Sequence, residues 1–338
     1  MIHPKRTAGL LIGAMLSAGL FCGCFGAAAA GSLAAPGDSA SAVESPPAAR
    51  GGPRHTPAVV VQAAAPVATP PVAAQPPVAP RGRVYLFRGA LGPIFSRGMD
   101  RLTERLEHAG VTADVYEFTI CRLIAESAIR EYRDDPAPII LIGHSMGGYC
   151  NLIFAQMLLA ENIPVSLMVT IDPAHVTPDV PTNVERYINI FLSKSVLGGG
   201  DVKPGPGYHG HYASYDLSQH DEVTHINIDK MNAVHEQLVN KILQLATTPA
   251  QTQGEPLSLR YVVPANVAIE LWDSGTPVIA RPGDTLRTIA DLYHVPLWSI
   301  TQINKGSDSL PLVPGERIVV PRHLLPLAIA SGSPSPGR

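Results

Sequence analysis

Charge and cysteine are both scarce in this sequence of 338 residues. Charged side chains make up 16% of it and the formal net charge is -3. That leaves no cluster of Lys and Arg to neutralise a phosphate backbone, so a nucleic-acid partner is disfavoured. There are four cysteines, Cys22, Cys24, Cys121 and Cys150. Their spacings match neither a zinc site nor a small disulfide scaffold, although pairing of Cys121 with Cys150 after export stays open. The N-terminal apolar run from Ala8 to Phe21 falls short of the roughly 20 residues a helix needs to cross a bilayer, which disfavours a permanent span.

What the chain has in quantity is proline and glycine, 33 and 30 residues, unevenly placed. Lys5 and Arg6 precede the apolar run and small residues follow it through Ala30. This is the three-part layout of a secretory signal peptide over residues 1–30. It also resembles bacterial lipoprotein signals, with Cys24 after Gly23 as the lipidation candidate and a lipid anchor as the consequence. Phe21 and Cys22 depart from that pattern, and Ala28-Ala29-Ala30 offers ordinary cleavage instead. From Gly31 to Pro80 there are eleven prolines and only the charges of Asp38, Glu44, Arg50 and Arg54. Such composition cannot bury a core and favours extended chain, so residues 31–82 are expected to be a disordered linker.

From Arg83 onward the pattern changes. RVYLF at 83–87 predicts a strand and 99–108 a helix, followed by a strand over 112–118 and a helix over 121–132. The continuous apolar run PIILI at 138–142 marks a strand buried on both faces of a parallel sheet. A helix over 151–160, a buried strand over 165–171 and another strand over 187–192 follow. Alternation of this kind predicts an α/β fold over 83–247, a mostly parallel sheet with helices on both faces and ligands at the carboxyl ends of its strands.

At one such end lies Gly143-His144-Ser145-Met146-Gly147-Gly148. The pattern G-x-S-x-G between a buried strand and a helix is the context of a nucleophile elbow, in which small residues permit a sharp turn. Ser145 is then presented at a helix N-terminus, where the Met146 N–H faces a developing oxyanion. On these residues the segment resembles the α/β-hydrolase family of lipases, esterases and related serine hydrolases.

That resemblance implies an acid and a histidine later in the chain. Asp172, ending the strand in VTIDPA, is the favoured acid, with Asp201 after Gly198-Gly199-Gly200 as competitor. His225 in EVTHINID is the favoured histidine, and Asp229 reads as the N-cap of a last helix carrying Met231, Val234, Leu238, Ile242 and Leu245. His235 reads as a surface or packing residue. The resemblance places a second oxyanion donor, Gly89 or Ala90, in the loop after the first strand. No cofactor is implied. His209 and His211 in YHGHY could hold a metal with a carboxylate, but are read as lining a mobile loop near the site, so no metal is expected.

After a linker over 248–276, in which Tyr261-Val262-Val263 is strand-like, the chain reads VIARPGDTLRTIADLYHVPLWSITQINKGSDSLPLVPGERIVVP. Residues 277–322 closely resemble the lysin motif, LysM, a small strand-helix-helix-strand unit. Asp284 or Thr285 caps the first helix, and Leu286, Ile289, Ala290 and Tyr293 face inward. The resemblance implies binding of peptidoglycan or another N-acetylglucosamine polymer near Gly283, Asp284, Thr285, Leu286 and Asn304. Residues 323–338 are expected to be a disordered tail. The leading expectation is an exported serine hydrolase, in the periplasm, outer membrane or cell envelope, acting on an acyl ester through Ser145, Asp172 and His225. No long insertion interrupts the strands, which implies little or no lid. Two readings compete: an inactive envelope-binding protein of the same fold, and an acyltransferase or amidase of cell-wall material.

Overall fold

The computed structural model describes residues 81–247, 256–304 and 306–324. The expected signal peptide with Cys24, the Pro/Ala-rich linker up to residue 80, residues 248–255 of the second linker and the tail from 325 lie outside the described residues.

Seven strands form one sheet in the order β2-β1-β3-β4-β5-β6-β7. They are β1 (Arg83–Arg88), β2 (Thr112–Glu117), β3 (Ile139–His144), β4 (Leu167–Ile171), β5 (Arg186–Phe191), β6 (His211–Asp216) and β7 (Ser258–Val262). Every neighbouring pair is parallel. The centre is the most apolar part: β3 and β4 are buried along their whole length, as a strand covered on both faces must be. Each Ile, Leu or Val so enclosed contributes roughly 1.5–3 kcal/mol of hydrophobic stabilisation.

Helices cover both faces. Val84 and Leu86 of β1 pack with Met99, Leu102 and Leu106 of α2 (Arg97–His108) and Leu238 and Ile242 of α5 (Asn232–Thr247). Tyr85 and Phe87, alternate on the same strand, pack the other way, against α3 (Cys121–Asp134) and α4 (Met146–Ala160). A short helix α1 (Gly92–Phe95) precedes α2. The connections over 172–185 and 192–210 carry no helix, so the alternation read from the sequence is incomplete there.

Three sequence readings change. His211–Asp216 is a buried strand rather than part of a mobile loop. The hydroxyls of its two tyrosines are satisfied inside: Tyr212 donates to the Val202 carbonyl at 2.6 Å and Tyr215 to that of Trp272 at 2.5 Å. Residues 258–262 extend the sheet beyond residue 247 as its seventh strand. Asp229 does not cap α5, which begins at Asn232. It lies in a 3-10 turn and accepts the Gly98 N–H at 2.8 Å, so it caps α2 instead. His235, buried, bonds the Asp229 carbonyl at 2.7 Å.

The C-terminal unit follows without a break. β8 (Trp272–Ile279) pairs antiparallel with β9 (Arg317–His323), and α6 (Leu286–Tyr293) and α7 (Leu297–Asn304) lie between them. Thr285 caps α6 through a reciprocal box with Thr288. The small core contains Leu286, Ile289, Ala290, Ile300, Ile318 and Val320; Tyr293, expected inside, is exposed.

Side-chain clamps on backbone join this unit to the sheet. The Tyr215 hydroxyl bonds both the N–H and the carbonyl of Trp272. Gln237 of α5 takes the Ile269 carbonyl at 2.9 Å and the Leu271 N–H at 2.8 Å. Asp273, buried at the start of β8, pairs with Arg186 at 3.2 Å and Lys241 at 3.1 Å. Burial pushes the Lys241 amine down while Asp273 pulls it back up, so this charge cluster fixes geometry more than it adds stability.

Candidate active site

All seven strands run in one direction, so their carboxyl ends share an edge. Ser145 follows the end of β3 and opens α4. Its backbone, φ 57 and ψ -122, is of a kind that costs on the order of 1–3 kcal/mol and persists only where the surroundings impose it. Here its N–H donates to the Ile171 carbonyl on the next strand at 3.0 Å, and its carbonyl accepts the Gly148 N–H at 2.9 Å. The flanking glycines are required by close approach. A Cβ on Gly143 would lie 2.2 Å from the Gly147 carbonyl oxygen, and one on Gly147 would lie 2.2 Å from that of Phe87.

Asp172 follows β4 and is 0% exposed. Its Oδ1 accepts the N–H groups of Leu192 at 3.0 Å and Gly199 at 2.8 Å, and its Oδ2 lies 2.7 Å from His225 Nδ1. Held to a carboxylate, Nδ1 carries the ring proton, which leaves Nε2 to accept from Ser145 Oγ at 3.1 Å. Ser145, His225 and Asp172 thus form one hydrogen-bonded chain, from segments up to 80 residues apart. Asp201 is not part of it. That carboxylate is exposed and pairs with Arg260 of β7 at 2.7 and 3.0 Å. The glycine-rich stretch that made Asp201 a candidate serves Asp172 instead, through the Gly199 amide.

The loop after β1 runs against the serine: a Cβ on Gly89 would lie 2.6 Å from Ser145 Cβ. The Gly89 N–H is already committed, to Ser96 Oγ at 3.1 Å. Of the two loop donors expected from the sequence, Ala90 is therefore the one whose N–H has no protein acceptor among the described residues, as is also true of Met146. Arg88 braces this loop, bonding Asp100 of α2 and, at 3.0 Å, Glu117 of β2. Those carboxylates hold its guanidinium pKa above the usual value.

His211 begins β6, at the edge of the sheet opposite Ser145, while His209 is exposed. No group of three or more His, Cys, Asp or Glu residues placed to hold a metal occurs among the described residues. His220 lies near His225, with Nδ1 3.0 Å from Glu222. Both histidines line an open depression of about 400 Å³, with Leu192, Val196, Leu197, Val223 and Ile226. Two residues that sequence reasoning passed over also belong here, His144 and Ser96, whose ring Nδ1 and Oγ are 2.8 Å apart. His144 carried a signal, a polar side chain closing an otherwise apolar strand; Ser96 carried none.

In the C-terminal unit the expected glycan-contact residues divide. Leu286 is core, Thr285 caps α6, and both ends of the Asn304 amide bond the backbone of Val319 at 2.8 Å. Asn304 is thus occupied in holding α7 to β9. Gly283 is exposed and Asp284 partly so, beside a loop stitched on by Leu312 N–H to the Asp284 carbonyl at 2.8 Å and Arg287 to Asp308 at 2.8 Å.

The family comparison agrees with the C-terminal part of this architecture. Residues 278–321 match the model of the LysM domain, and this segment is a LysM domain. No curated protein matches the sequence. Among solved structures, one assigned to the alpha/beta hydrolase superfamily, from Xanthomonas campestris pv. campestris, is 16% identical, with 49% of this chain and 98% of that one covered and a TM-score of 0.31. The peroxisomal alpha-beta-hydrolase Lpx1 of Saccharomyces cerevisiae is 15% identical, over 54% and 82%, with a TM-score of 0.32. A structure from work on the metagenome-derived lipolytic enzymes LipS and LipT is 19% identical, over 31% and 51%, with a TM-score of 0.21; the chain spans about half of it. Likenesses this distant carry no functional conclusion. The sheet is seven-stranded and parallel at every pair, and the chain couples it to a LysM domain. Among the described residues no helix is long and apolar enough to cross a membrane.

Proposed function

We propose that the protein is an exported bacterial serine hydrolase that cleaves a carboxylic ester or thioester and is retained at the cell envelope by its LysM domain. The observation that carries the reading is the chain Ser145 Oγ to His225 Nε2 at 3.1 Å and His225 Nδ1 to Asp172 at 2.7 Å, with the Met146 and Ala90 N–H groups left without a protein acceptor among the described residues. In this reading His225 takes the hydroxyl proton as Ser145 Oγ attacks the acyl carbon. Asp172 keeps the ring oriented and stabilises the imidazolium. The Met146 and Ala90 N–H groups receive the oxyanion. Collapse expels the alcohol or thiol, which takes the proton from His225, and water releases the acid by the same steps in reverse.

Exposed apolar side chains in the depression that His225 lines, and on the loop after β1, favour an acyl substrate. Val196, Leu197 and Ile226 line the depression and are exposed, as are Leu91 and Ile94 on the loop that carries Ala90. Apolar lining with a few placed polar groups is what a small acyl ligand needs. The N-terminal layout of residues 1–30 supports export, and Cys24 would receive a lipid anchor if processed as a lipoprotein. The LysM domain supports retention on peptidoglycan or a related N-acetylglucosamine polymer. A single copy is expected to bind weakly, gaining hold from any second attachment.

The test is fluorophosphonate labelling of the mature protein against Ser145→Ala and His225→Ala, with turnover of short acyl esters measured in parallel. Labelling and turnover present in the wild type and lost in both variants support the reading. Absence of both in folded wild type overturns it and leaves a binding role for the LysM domain, to be measured by sedimentation with insoluble peptidoglycan.

A further inference from the structure

The imidazole of His144 has no part in the steps above, yet it is 1% exposed and both its nitrogens are bonded. Nε2 lies 2.9 Å from the carbonyl oxygen of His225. A carbonyl only accepts, so Nε2 carries the hydrogen. Burial and the nearby His225 ring push the His144 pKa down to about 4, so the ring is neutral near pH 7 and Nδ1 presents a lone pair. Ser96 Oγ, 2.8 Å away, must then donate to Nδ1, and its remaining lone pairs accept the Gly89 N–H at 3.1 Å. The direction of every bond is fixed: Gly89 N–H to Ser96 Oγ, Ser96 O–H to His144 Nδ1, His144 Nε2–H to the His225 carbonyl.

We infer that Ser96 and His144 are a positioning bridge that locks the loop carrying the Ala90 N–H and the loop carrying His225 to the elbow that carries Ser145. This rests on the serine-hydrolase reading for its kinetic consequences but not for its geometry. Three segments that are distant in sequence converge on one ring: residues 89–96 after β1, His144 at the end of β3, and His225 after β6. Other bonds hold each loop as well: Arg88 to Glu117 and the Ile94 N–H to the Leu91 carbonyl on one side, and Asp172 to the His225 ring and Lys230 to the Ile226 carbonyl on the other, but none of them ties the two loops to the elbow through one side chain. The two histidine rings also lie close, centroids 4.8 Å apart and planes tilted by 35°. When His225 becomes cationic during turnover it therefore has a neutral ring beside it rather than a second charge.

The bridge has two arms that can be cut separately. Ser96→Ala removes the acceptor of the Gly89 N–H and leaves the His144 to His225 bond. His144→Asn keeps an acceptor near the Nδ1 position and loses the reach to the His225 carbonyl. We expect each variant to lower kcat on a short acyl ester about ten- to a hundredfold, below the roughly hundred- to thousandfold cost of deleting an oxyanion donor outright. KM should stay within about threefold. The acid limb of the pH profile should move in His144→Asn and stay in place in Ser96→Ala. Amide exchange should accelerate at residues 88–91 in Ser96→Ala and at 224–227 in His144→Asn, with circular dichroism and Tm confirming that both fold. Both variants within twofold of wild type in kcat, or a loss confined to KM, would refute the bridge. If the wild type neither labels nor turns over, the hydrolase reading fails by itself. The bridge is then judged on exchange alone, where unchanged rates at both segments sink it.

Discussion

The LysM domain is not hung on a free tether, and the prediction that follows concerns the edge of the sheet. β7 is the last strand, and an open edge invites unwanted pairing. Here α7 closes it: the Gln302 amide donates to the Val262 carbonyl at 2.9 Å and accepts the Val262 N–H at 3.1 Å, as a neighbouring strand would. One turn earlier, Trp298 stands edge-on to Tyr261 at 5.6 Å and 84° and to Trp272 at 5.5 Å and 66°. Tyr261 in turn stacks on Tyr215 of β6 at 5.4 Å. The aromatic column therefore runs from the sheet into the LysM helix.

Trp298→Ala removes two aromatic pairs worth about 0.5–1.5 kcal/mol each, together with part of the burial of a large ring. Because Trp298 is only half-buried, the total stays below the roughly 3–5 kcal/mol of a core truncation, at about 2–3 kcal/mol. Gln302→Ala costs about 1 kcal/mol or less, since water can replace both bonds. At roughly 2–4 °C per kcal/mol for a unit of this size, Trp298→Ala should lower the main calorimetric transition by about 4–12 °C. The wild type should melt in one transition that includes the LysM domain. Two resolved transitions in the wild type, the upper one unmoved by Trp298→Ala, would show that the two parts fold independently and that the docking is energetically idle.

Further outcomes follow from the site and its supports. Asp172→Asn keeps an acceptor for the Leu192 and Gly199 amides but turns an N–H toward His225 Nδ1, favouring the wrong tautomer; kcat should fall by about 10³–10⁴ with little change in Tm. Asp201→Ala should leave kcat within twofold, because that carboxylate serves Arg260; a large loss in the same assay would restore it as the acid. Three buried groups give a slope to the acid dependence of stability. His144 and His235 are held down to about 4 by burial, so they favour the folded state above their unfolded pKa and lose that contribution as the pH falls. Asp229 is pushed up to about 6 by burial, so its contribution is present at low pH and lost as the pH rises. Between about pH 4 and 6 the unfolded chain binds up to two more protons at these two histidines and one fewer at Asp229, so these three groups together make stability rise with pH by about one net proton, to which the lowered His211 and the raised Glu185 and His323 add opposing contributions. Asp229→Asn should steepen that rise in urea titrations across the range; an unchanged slope would contradict the assignment.

How much of this the sequence disclosed depends on the kind of force involved. Continuous aliphatic runs at 139–142 and 167–171 read as buried strands because only a strand covered on both faces tolerates them. The sharp turn at Ser145 was legible because steric closure there demands small residues at positions that can be named. His225 was reachable because its loop lies between the last central strand and a strongly periodic helix. β6 was passed over for a physical reason: HYASYD buries hydroxyls and an imidazole, and its tyrosines become core residues only because Val202 and Trp272 supply acceptors from elsewhere in the chain. Asp229 looked like the cap of the helix that follows it, but the N–H it satisfies is Gly98, 131 residues away. Asn304 looked like a ligand-facing amide and is spent on β9.

These misses share a cause. Local pattern reports burial and turn chemistry, which act between near neighbours, whereas a side chain that satisfies a distant backbone group leaves no periodic trace. Tyr215, Gln237, Gln302, Asn304 and Asp229 all act in that way, and Ser96 reaches the distant side chain of His144. They are also what holds the loops around Ser145 and the LysM domain to the sheet. Candidates for a nucleophile, its base and its acid can therefore be named from a motif and its context, while the fixity that would make them work depends on bonds that only the folded chain brings together.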